Sequence, residues 1–573
     1  MAKLKRAKLK RAKSKPAVRA RRRFTGRQKL IVAVGGVLCA VSGAIAQVVE
    51  PRAPLRFRTD YLGYAASVSP RLIYTDNIDL LPDGQREDDL IASTVFSGAA
   101  IFSSPRFTGL LRGDLDLSYL TQAQDFRVNQ DVGAVGTFTL ADNLFFLDVS
   151  GRTTRQLIGD NARFSPNINA SRGQRADVNT FSVSPYFHRR FADNSAAELR
   201  YRFTKVLIND DDSDFANGFQ EFLNDSRTQE VLAAYDSGAR FERIRLNLSA
   251  YGNETVEEGS DLAPRFEFQQ GSLQAAAEVP LSDQFSLSGA IGYDDIETET
   301  VFNAFDDEAL SGVFWRAGFI ARPGRRSFLR LEYGQRYDDD FIDAEASYQV
   351  SSRLQVSAGA SRTFQTRSQF VNSRFQALTQ DTLLFAESLR EGAELDPAAV
   401  VDAATQFAPF GFEAQTVGIG VSNDAFVQVN GAYDRTAFAV GLNYQDADFG
   451  FTTNENYQAI ANVTRRLTRR LDAYGGAFYR RSDVGINRAA CLADPSIFGL
   501  DPAAPGFSAA LACDDTNFLN GLTTTVGGQV GLAYRIYENL SLFGEYTRTD
   551  RFADEELFEY TENAVALGLT LDL

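Results

Sequence analysis

The chain has 573 residues and is acidic, with 59 Lys and Arg against 74 Asp and Glu. This balance argues against nucleic acid as a ligand, because its phosphates would be repelled. Aromatic residues make up 12%, and Gly occurs 44 times, whereas Met, Trp and His occur once each, a mixture that favours strands and tight turns over helices. After the first fifty residues no apolar run approaches the ~20 residues of a membrane-spanning helix.

Residues 1–46 have the pattern of a secretory signal peptide with a long basic leader. They contain 14 of the 59 Lys and Arg and no acid, so the rest of the chain carries 45 basic against 74 acidic residues. An apolar run begins at Leu30, and Ala44-Ile45-Ala46 matches a small-x-small cleavage site. We therefore expect export through the Sec system with cleavage between Ala46 and Gln47. An uncleaved membrane anchor is the alternative.

Apolar and polar residues alternate with a period of two from about residue 60 to the end. In FTGLLRGDLDLSYL, starting at Phe107, the apolar face includes Leu111, Leu115 and Leu117, and Leu110 and Leu120 are exceptions on the other face. Such runs have the length of strands that cross a bilayer at a tilt. A soluble β-sandwich is the alternative, but it would not need Arg and carboxylates on one face of strand after strand.

The connections between these runs alternate in length. Short turns such as 103–106, 140–143, 191–194 and 281–284 are separated by longer acidic stretches such as 80–89 and 208–226. Short turns at one rim and long loops at the other are typical of outer-membrane barrels. The sequence predicts an all-β fold: a transmembrane antiparallel up-and-down β-barrel of about 22 strands, within a range of roughly 16 to 24, over 66–573. Residues 47–65 are expected to form a short periplasmic segment.

Two stretches interrupt the alternation. Residues 367–423 are predicted to form a long, partly helical extracellular loop, and both an inward fold that constricts the pore and an outward loop remain open. Residues 484–518 contain Cys491 and Cys513. In an oxidising compartment a disulfide between them is expected, with two free thiols as the alternative.

The polar face of the strands is predicted to line a hydrated lumen. Its charged residues mix both signs, so they can neutralise one another, and guanidinium groups can also bind sugar hydroxyls and uronates. The predicted lumen-facing residues are Arg112, Asp114, Asp116, Glu198, Arg200, Arg202, Arg243, Arg245, Arg330, Glu332, Arg336 and Glu545.

An enzyme is not expected. The sole histidine, His188, lies three residues from a predicted periplasmic turn, and no motif for a nucleophile accompanies it. The acidic runs 209–214 and 337–340 lack the regular spacing of a calcium loop. The sequence therefore predicts no catalytic residue, no metal site and no cofactor.

The chain stops within an alternating run, ENAVALGLTLDL. Outer-membrane barrels end on their last strand, which the β-barrel assembly machinery captures through a Gly followed at fixed spacing by two bulky apolar residues. Gly568, Leu571 and Leu573 keep that spacing, although Phe is commoner than Leu at the terminal position. The expected location is the outer membrane of a Gram-negative bacterium, in contact with lipid and lipopolysaccharide.

The stretch VSPRLIYTDNIDLLPDG (Val68–Gly84) resembles the first strand of a family of outer-membrane β-barrels, the β-barrel porin 2-like family, often encoded beside exopolysaccharide-synthesis and exosortase (PEP-CTERM) systems. The stretch Asp424–Gln445 also looks like a late hairpin of that family. The resemblance implies a conduit for export of surface polysaccharide, with polysaccharide-export components as partners.

Three other functions are alternatives. A general diffusion porin would require an open lumen and an inward constriction loop early in the barrel, whereas the candidate loop, 367–423, lies late. A non-conducting structural or adhesive barrel would fit the long acidic loops and the disulfide. A TonB-type transporter needs a large plug before the first strand, which residues 47–60 cannot supply.

Overall fold

A computed structural model describes residues 56–59, 62–157, 163–170, 175–209, 225–238, 241, 243–258, 265–299, 310–324, 326–366, 419–448, 452–486, 491–492, 495, 507–508, 513, 521–554 and 556–573. Nearly all of this part of the chain is β-strand. Among these residues no helix has the length and apolar character needed to cross a membrane. The predicted signal peptide and its cleavage site at Ala46 and Gln47 lie outside the described residues.

The described residues form one short strand, β1, followed by 22 long strands, β2–β23. A single turn of 3-10 helix, Glu556–Phe558, precedes the last strand. The strands are β1 (Arg56–Thr59), β2 (Leu62–Thr75), β3 (Asp89–Ser104), β4 (Phe107–Leu120), β5 (Asp125–Ala141), β6 (Phe145–Leu157), β7 (Arg175–Arg190), β8 (Ala196–Asn209), β9 (Ser226–Asp236), β10 (Arg245–Glu257), β11 (Phe266–Pro280), β12 (Phe285–Glu299), β13 (Gly312–Gly324), β14 (Ser327–Arg336), β15 (Asp339–Ser351), β16 (Leu354–Thr366), β17 (Ile419–Tyr433), β18 (Thr436–Asp448), β19 (Thr452–Arg466), β20 (Leu471–Ile486), β21 (Gly521–Tyr537), β22 (Leu540–Ala553) and β23 (Tyr560–Asp572).

The long strands close into an antiparallel barrel in which every strand pairs with its neighbour in sequence. Closure comes from the pairing of β2 with β23, which places Arg71 opposite Gly568 and Thr75 opposite Ala564. The short strand β1 pairs with the start of β2, where Arg56 lies opposite Tyr64. The predicted up-and-down barrel of about 22 strands is confirmed. Closure leaves the long strands without an unpaired edge, so their backbone groups are satisfied within the wall.

The alternation in sequence becomes the two faces of the wall. Large apolar side chains point outward and are exposed, among them Leu199, Ile291 and Leu567, at 55%, 58% and 60%. The neighbouring residues in sequence point into the lumen, since successive side chains in a strand lie on opposite faces. The two exceptions noted in β4, Leu110 and Leu120, are buried.

The rims also differ as expected. Turns of a few residues, such as 105–106, 142–144 and 538–539, lie at one end of the barrel, which we call the short-turn rim. Most of the longer connections lie at the other end, the long-loop rim, although the turn 337–338 between β14 and β15 is short. Three strand ends differ by a few residues from the predicted segment bounds. β2 begins at Leu62, before the predicted start of the barrel at 66. β17 begins at Ile419, inside the predicted loop 367–423, and β20 ends at Ile486, inside the stretch 484–518.

Candidate functional site: the lumen and its inward segment

The lumen wall is polar and held together by ion pairs. Arg112 pairs with Asp114 at 3.3 Å on β4. On β8, Arg200 bridges two carboxylates, contacting Glu198 and Asp148 at 2.8 Å each. These contacts hold charges of opposite sign against the wall, so this part of the lumen wall is polar without a large excess of either sign.

Many partners of the predicted lumen residues lie on neighbouring strands. Asp116 pairs with Arg71 at 2.6 Å, Arg202 with Glu230 at 3.2 Å, and Arg336 with Asp294 at 2.6 Å. Glu332 and Arg330 are linked through a three-strand network: Arg316 contacts Glu332 at 3.1 Å and Asp343 at 2.8 Å, and Arg330 contacts Asp343 at 3.2 Å. Sequence reasoning missed Arg71, Asp148, Glu230, Asp294, Arg316 and Asp343, although their period-two positions would have identified them.

Of three further charged residues predicted to face the lumen, two lie on the lumen wall and the third does not. Glu545 is buried on β22, and Arg245, at the start of β10, lies 3.6 Å from Glu278. Arg243 precedes β10 and is exposed in the connection at the short-turn rim, so its assignment to the lumen is wrong. The alternation in sequence begins at Arg243, before the strand itself begins at Arg245.

A loop segment lies inside the barrel at the long-loop rim. Residues 163–170, here called the inward segment, belong to the connection between β6 and β7. Asn169 hydrogen-bonds to Asn129 at 3.0 Å and to Ser118 at 3.1 Å, and its carbonyl oxygen accepts from Arg127. Phe164 packs edge-on against Phe478 of β20, with ring centroids 5.3 Å apart. The segment therefore touches the wall on both sides of the β2–β23 closure.

A single carboxylate anchors the inward segment to the last strand. Glu562 of β23 is 1% exposed and accepts hydrogen bonds from Ser165, from Asn167 at 3.4 Å and from Thr75 at 2.9 Å. The hydroxyl of Tyr560 donates to the carbonyl oxygen of Phe164. A typical hydrogen bond contributes about 0.5–1.5 kcal/mol net, and the bonds of this cluster together fix the position of the segment.

Apolar contacts support the same arrangement from the first long-loop connection. Leu80, Ala170 and Tyr560 form one buried cluster. A second cluster joins Ile78 to four lumen-side residues: Ile73, Ile91, Leu120 and Ala564. Leu120 departs from the alternation because it packs under residues 76–88, which lie over this side of the lumen.

A cationic group stands where the inward segment begins. Arg163 is buried, and its Nη2 donates to the carbonyl oxygen of Leu557 at 2.9 Å. Burial lowers the pKa of the Arg163 guanidinium, and the nearby Tyr560 and Asp79 act in the opposite direction. Of the predicted constriction loop, 367–423, residues 367–418 lie outside the described residues, and the inward segment was not predicted from the sequence.

The other predicted residues occupy separate places. Cys491 and Cys513 form a disulfide with Cα atoms 5.7 Å apart, beyond the long-loop end of β20.

His188 lies on β7 near the short-turn rim, with Nδ1 3.3 Å from Glu198 Oε2. Leu571 of β23 and Leu573, which follows the strand, are exposed on the outer side, whereas Gly568 lies on the lumen side beneath the ring of Phe543. Among the described residues no group of three or more His, Cys, Asp and Glu could hold a metal.

Comparison with known proteins gives structural similarities only. No family model matches the chain, and no curated protein matches it. The siderophore receptor PirA from Acinetobacter baumannii is 8% identical, with 90% of this chain and 81% of that chain covered and a TM-score of 0.47. The ferric-catecholate import receptor Fiu from E. coli K12 is 11% identical, with 90% and 82% covered and a TM-score of 0.46. The strand pairing of this chain, rather than these similarities, defines it as a closed 22-strand β-barrel with a polar lumen.

Proposed function

We propose that the protein is a channel for hydrophilic solutes in the outer membrane of a Gram-negative bacterium. The observation that carries this proposal is the contrast between the two faces of one closed wall. The outer face exposes residues such as Leu273, Val530 and Leu567, each at about 60%, while ion pairs such as Arg336–Asp294 line the inside. A closed barrel with this polarity is stable in lipid, because its backbone is paired and its apolar side meets hydrocarbon.

The short-turn rim then faces the periplasm and the long-loop rim faces outward. This orientation is typical of bacterial barrels, and it places the disulfide-bearing connection on the extracellular side, where disulfides persist. The C-terminal Gly568, Leu571 and Leu573 would serve as the signal for the assembly machinery. Lipid and lipopolysaccharide would contact the outer face.

The inward segment supports a channel that is narrowed toward its extracellular end. It lies between β6 and β7, early in the barrel, where the general-porin alternative requires a constriction. Its fixed position, through Glu562 and Asn169, argues for a permanent narrowing on the side of the lumen formed by β20–β23 and β2–β5. We therefore keep diffusion of small hydrophilic solutes as a second candidate for the transport mode.

Export of a surface polysaccharide remains our proposal for the cargo, and it rests on the family resemblance of Val68–Gly84 and Asp424–Gln445. A polysaccharide is itself a hydrophilic solute, so a wall of paired charges suits it. Polysaccharide-export components would then be partners. No enzymatic activity is proposed.

The test is conductance of the purified, folded protein in planar lipid bilayers. We expect stable single-channel currents, and barrel insertion without any current would favour the structural or adhesive alternative. Deleting the gene and measuring surface polysaccharide then tests the cargo. Unchanged polysaccharide in the deletion strain would contradict export, and uptake of small sugars that falls in the same strain would support the diffusion channel.

A further inference from the structure

One side of the lumen wall is lined by neutral amides instead of ion pairs. Strands β16–β19 pair in register, so their lumen-facing residues form rows across the wall. In one row Asn430 lies opposite Gln355, and in another Asn443 lies opposite Gln458. Leu442, next to Asn443, is 53% exposed on the outer face, which places the amides inside. We call these rows the amide panel, and its amides include Gln355, Gln428, Asn430, Asn443, Gln458 and Asn462.

The amide panel carries almost no charge. It comprises four rows, which begin at Gln355, near the short-turn rim, and end at Ser361 on β16. Asp424 is the one charged residue in these rows. Its carboxylate accepts hydrogen bonds from Ser422 at 2.8 Å and from Gln445 at 2.9 Å, so it is held by neutral neighbours on the wall.

The wall opposite the panel has a different chemistry. Strands β5–β8 lie half-way round the barrel from β16–β19. There Arg152 contacts Asp131 at 3.2 Å, and Arg200 contacts Asp148 and Glu198 at 2.8 Å each. These charged groups bind one another across neighbouring strands. The lumen therefore presents two distinct surfaces, one of paired charges and one of neutral amides.

The amides of the panel are accessible from the lumen. Gln355 is exposed, and Gln428, Asn430 and Asn462 are half-buried. In the described part of the chain, the amides of Gln355, Gln428 and Asn430 hydrogen-bond to no other side chain. Their donors and acceptors are thus available to a solute that lies against this side of the wall.

We propose that the amide panel binds uncharged glycan chains as they pass through the channel. Each amide offers two donors and an acceptor, and a sugar hydroxyl both donates and accepts, so the two can pair without leaving a charge unmatched. Hydrogen-bonding groups that line a pore determine what it selects. Phe426, half-buried in the row of Asn443 and Gln458, adds an aromatic surface on which the C–H face of a sugar ring can pack.

The inference rests on the proposed channel function and adds the binding surface and the substrate class. That class is neutral, hydroxyl-rich oligosaccharides and polysaccharides. A chain with a carboxylate on each ring would find no cationic partner among the amides of the panel, and its charges would lose hydration without compensation.

The test is binding of maltohexaose, a neutral oligosaccharide, to the purified, folded barrel by isothermal titration calorimetry. The double variant Gln428→Leu/Asn430→Leu retains bulk but loses the hydrogen-bonding groups, so its dissociation constant should rise by about fivefold or more. Gln274→Leu is the matched control, because Gln274 is a half-buried amide on the lumen face of β11, away from the panel. Its dissociation constant should equal that of the wild type. Hexagalacturonate, which has a carboxylate on each ring, should bind more weakly than maltohexaose.

A second pair of variants tests the aromatic surface. Phe426→Ala should raise the dissociation constant by about threefold or more, whereas Phe426→Tyr should leave it unchanged. Absence of maltohexaose binding, equal binding in the wild type and the double variant, or tighter binding of hexagalacturonate would overturn the glycan site. Single-channel currents in KCl would still support the channel in each of these cases. A folded protein that binds maltohexaose but passes no current would overturn the channel and retain the glycan site.

Discussion

The hydroxyl of Ser165 donates a hydrogen bond to the carboxylate of Glu562, joining residues 397 positions apart in sequence. This contact links the connection after β6 to the last strand of the barrel. It means that the inward segment reaches its final position only after β23 has taken its place. The narrowing of the lumen and the closure of the barrel are thus parts of one structure.

Replacing Glu562 by Ala should release the inward segment. The variant loses the acceptor for Ser165, Asn167 and Thr75, and each lost hydrogen bond costs about 0.5–1.5 kcal/mol. Because the strand pairing of the wall is unchanged, we expect a folded barrel with larger or noisier single-channel current. Glu455→Ala is the control, since Glu455 accepts from Tyr444 and Tyr457 on the outer face. Equal current in the two variants would contradict the role given to Glu562.

Gly568 should be intolerant of any side chain. A Cβ atom there would lie 2.5 Å from the ring of Phe543 on the adjacent strand, and 2.8 Å from Cβ of Arg71. Overpacking of this kind typically costs about 1–3 kcal/mol. We expect Gly568→Ala to lower the temperature at which the barrel loses its heat-modifiable gel mobility. Gly252→Ala is the control, because nothing lies within 4 Å of the added atom. If both variants lose this mobility at the same temperature, the contact with Phe543 does not restrict residue 568.

The disulfide should stabilise its loop and leave the barrel unaffected. Cys491 and Cys513 are 22 residues apart, and closing a loop of that size contributes roughly 3 kcal/mol by the chain-entropy model. The double variant Cys491→Ser/Cys513→Ser should become sensitive to protease added outside the cell, with cleavage between β20 and β21. Barrel mobility on gels should match the wild type. Loss of the folded barrel would show instead that assembly depends on the disulfide.

The barrel could be predicted from the sequence because its physics is local. Each strand must present apolar residues to one side and polar residues to the other. Residue type therefore alternates with a period of two, as in the run from Leu111 to Leu117. The same rule located Arg112, Glu198 and Glu332 on the lumen face. It failed at Arg243, which continues the alternation in sequence but precedes the start of β10.

The inward segment could not be predicted in this way. Its position depends on contacts such as Asn169 with Asn129 and Ser165 with Glu562, which join distant parts of the chain and leave no period in the sequence. Leu120 is the one indication in the sequence, since an apolar residue on the polar face indicates that another part of the chain packs against it. The sequence also predicted only part of the role of Gly568. Its place in the C-terminal pattern can be read from the sequence, but its contact with the ring of Phe543 cannot.

Deleting Leu571–Leu573 should prevent assembly and leave the protein in the periplasm. Both leucines face outward, at 38% and 53% exposure, and the backbone N–H of Leu573 donates to the carbonyl oxygen of Ala66 at 2.9 Å. The truncation therefore removes apolar surface and also part of the β2–β23 closure, opening an unpaired edge. Leu573→Phe is the control, because it keeps a bulky apolar residue at the terminus and should assemble normally. Fractionation of membranes followed by heat-modifiability on gels measures both variants, and normal insertion of the truncated chain would refute the assigned signal.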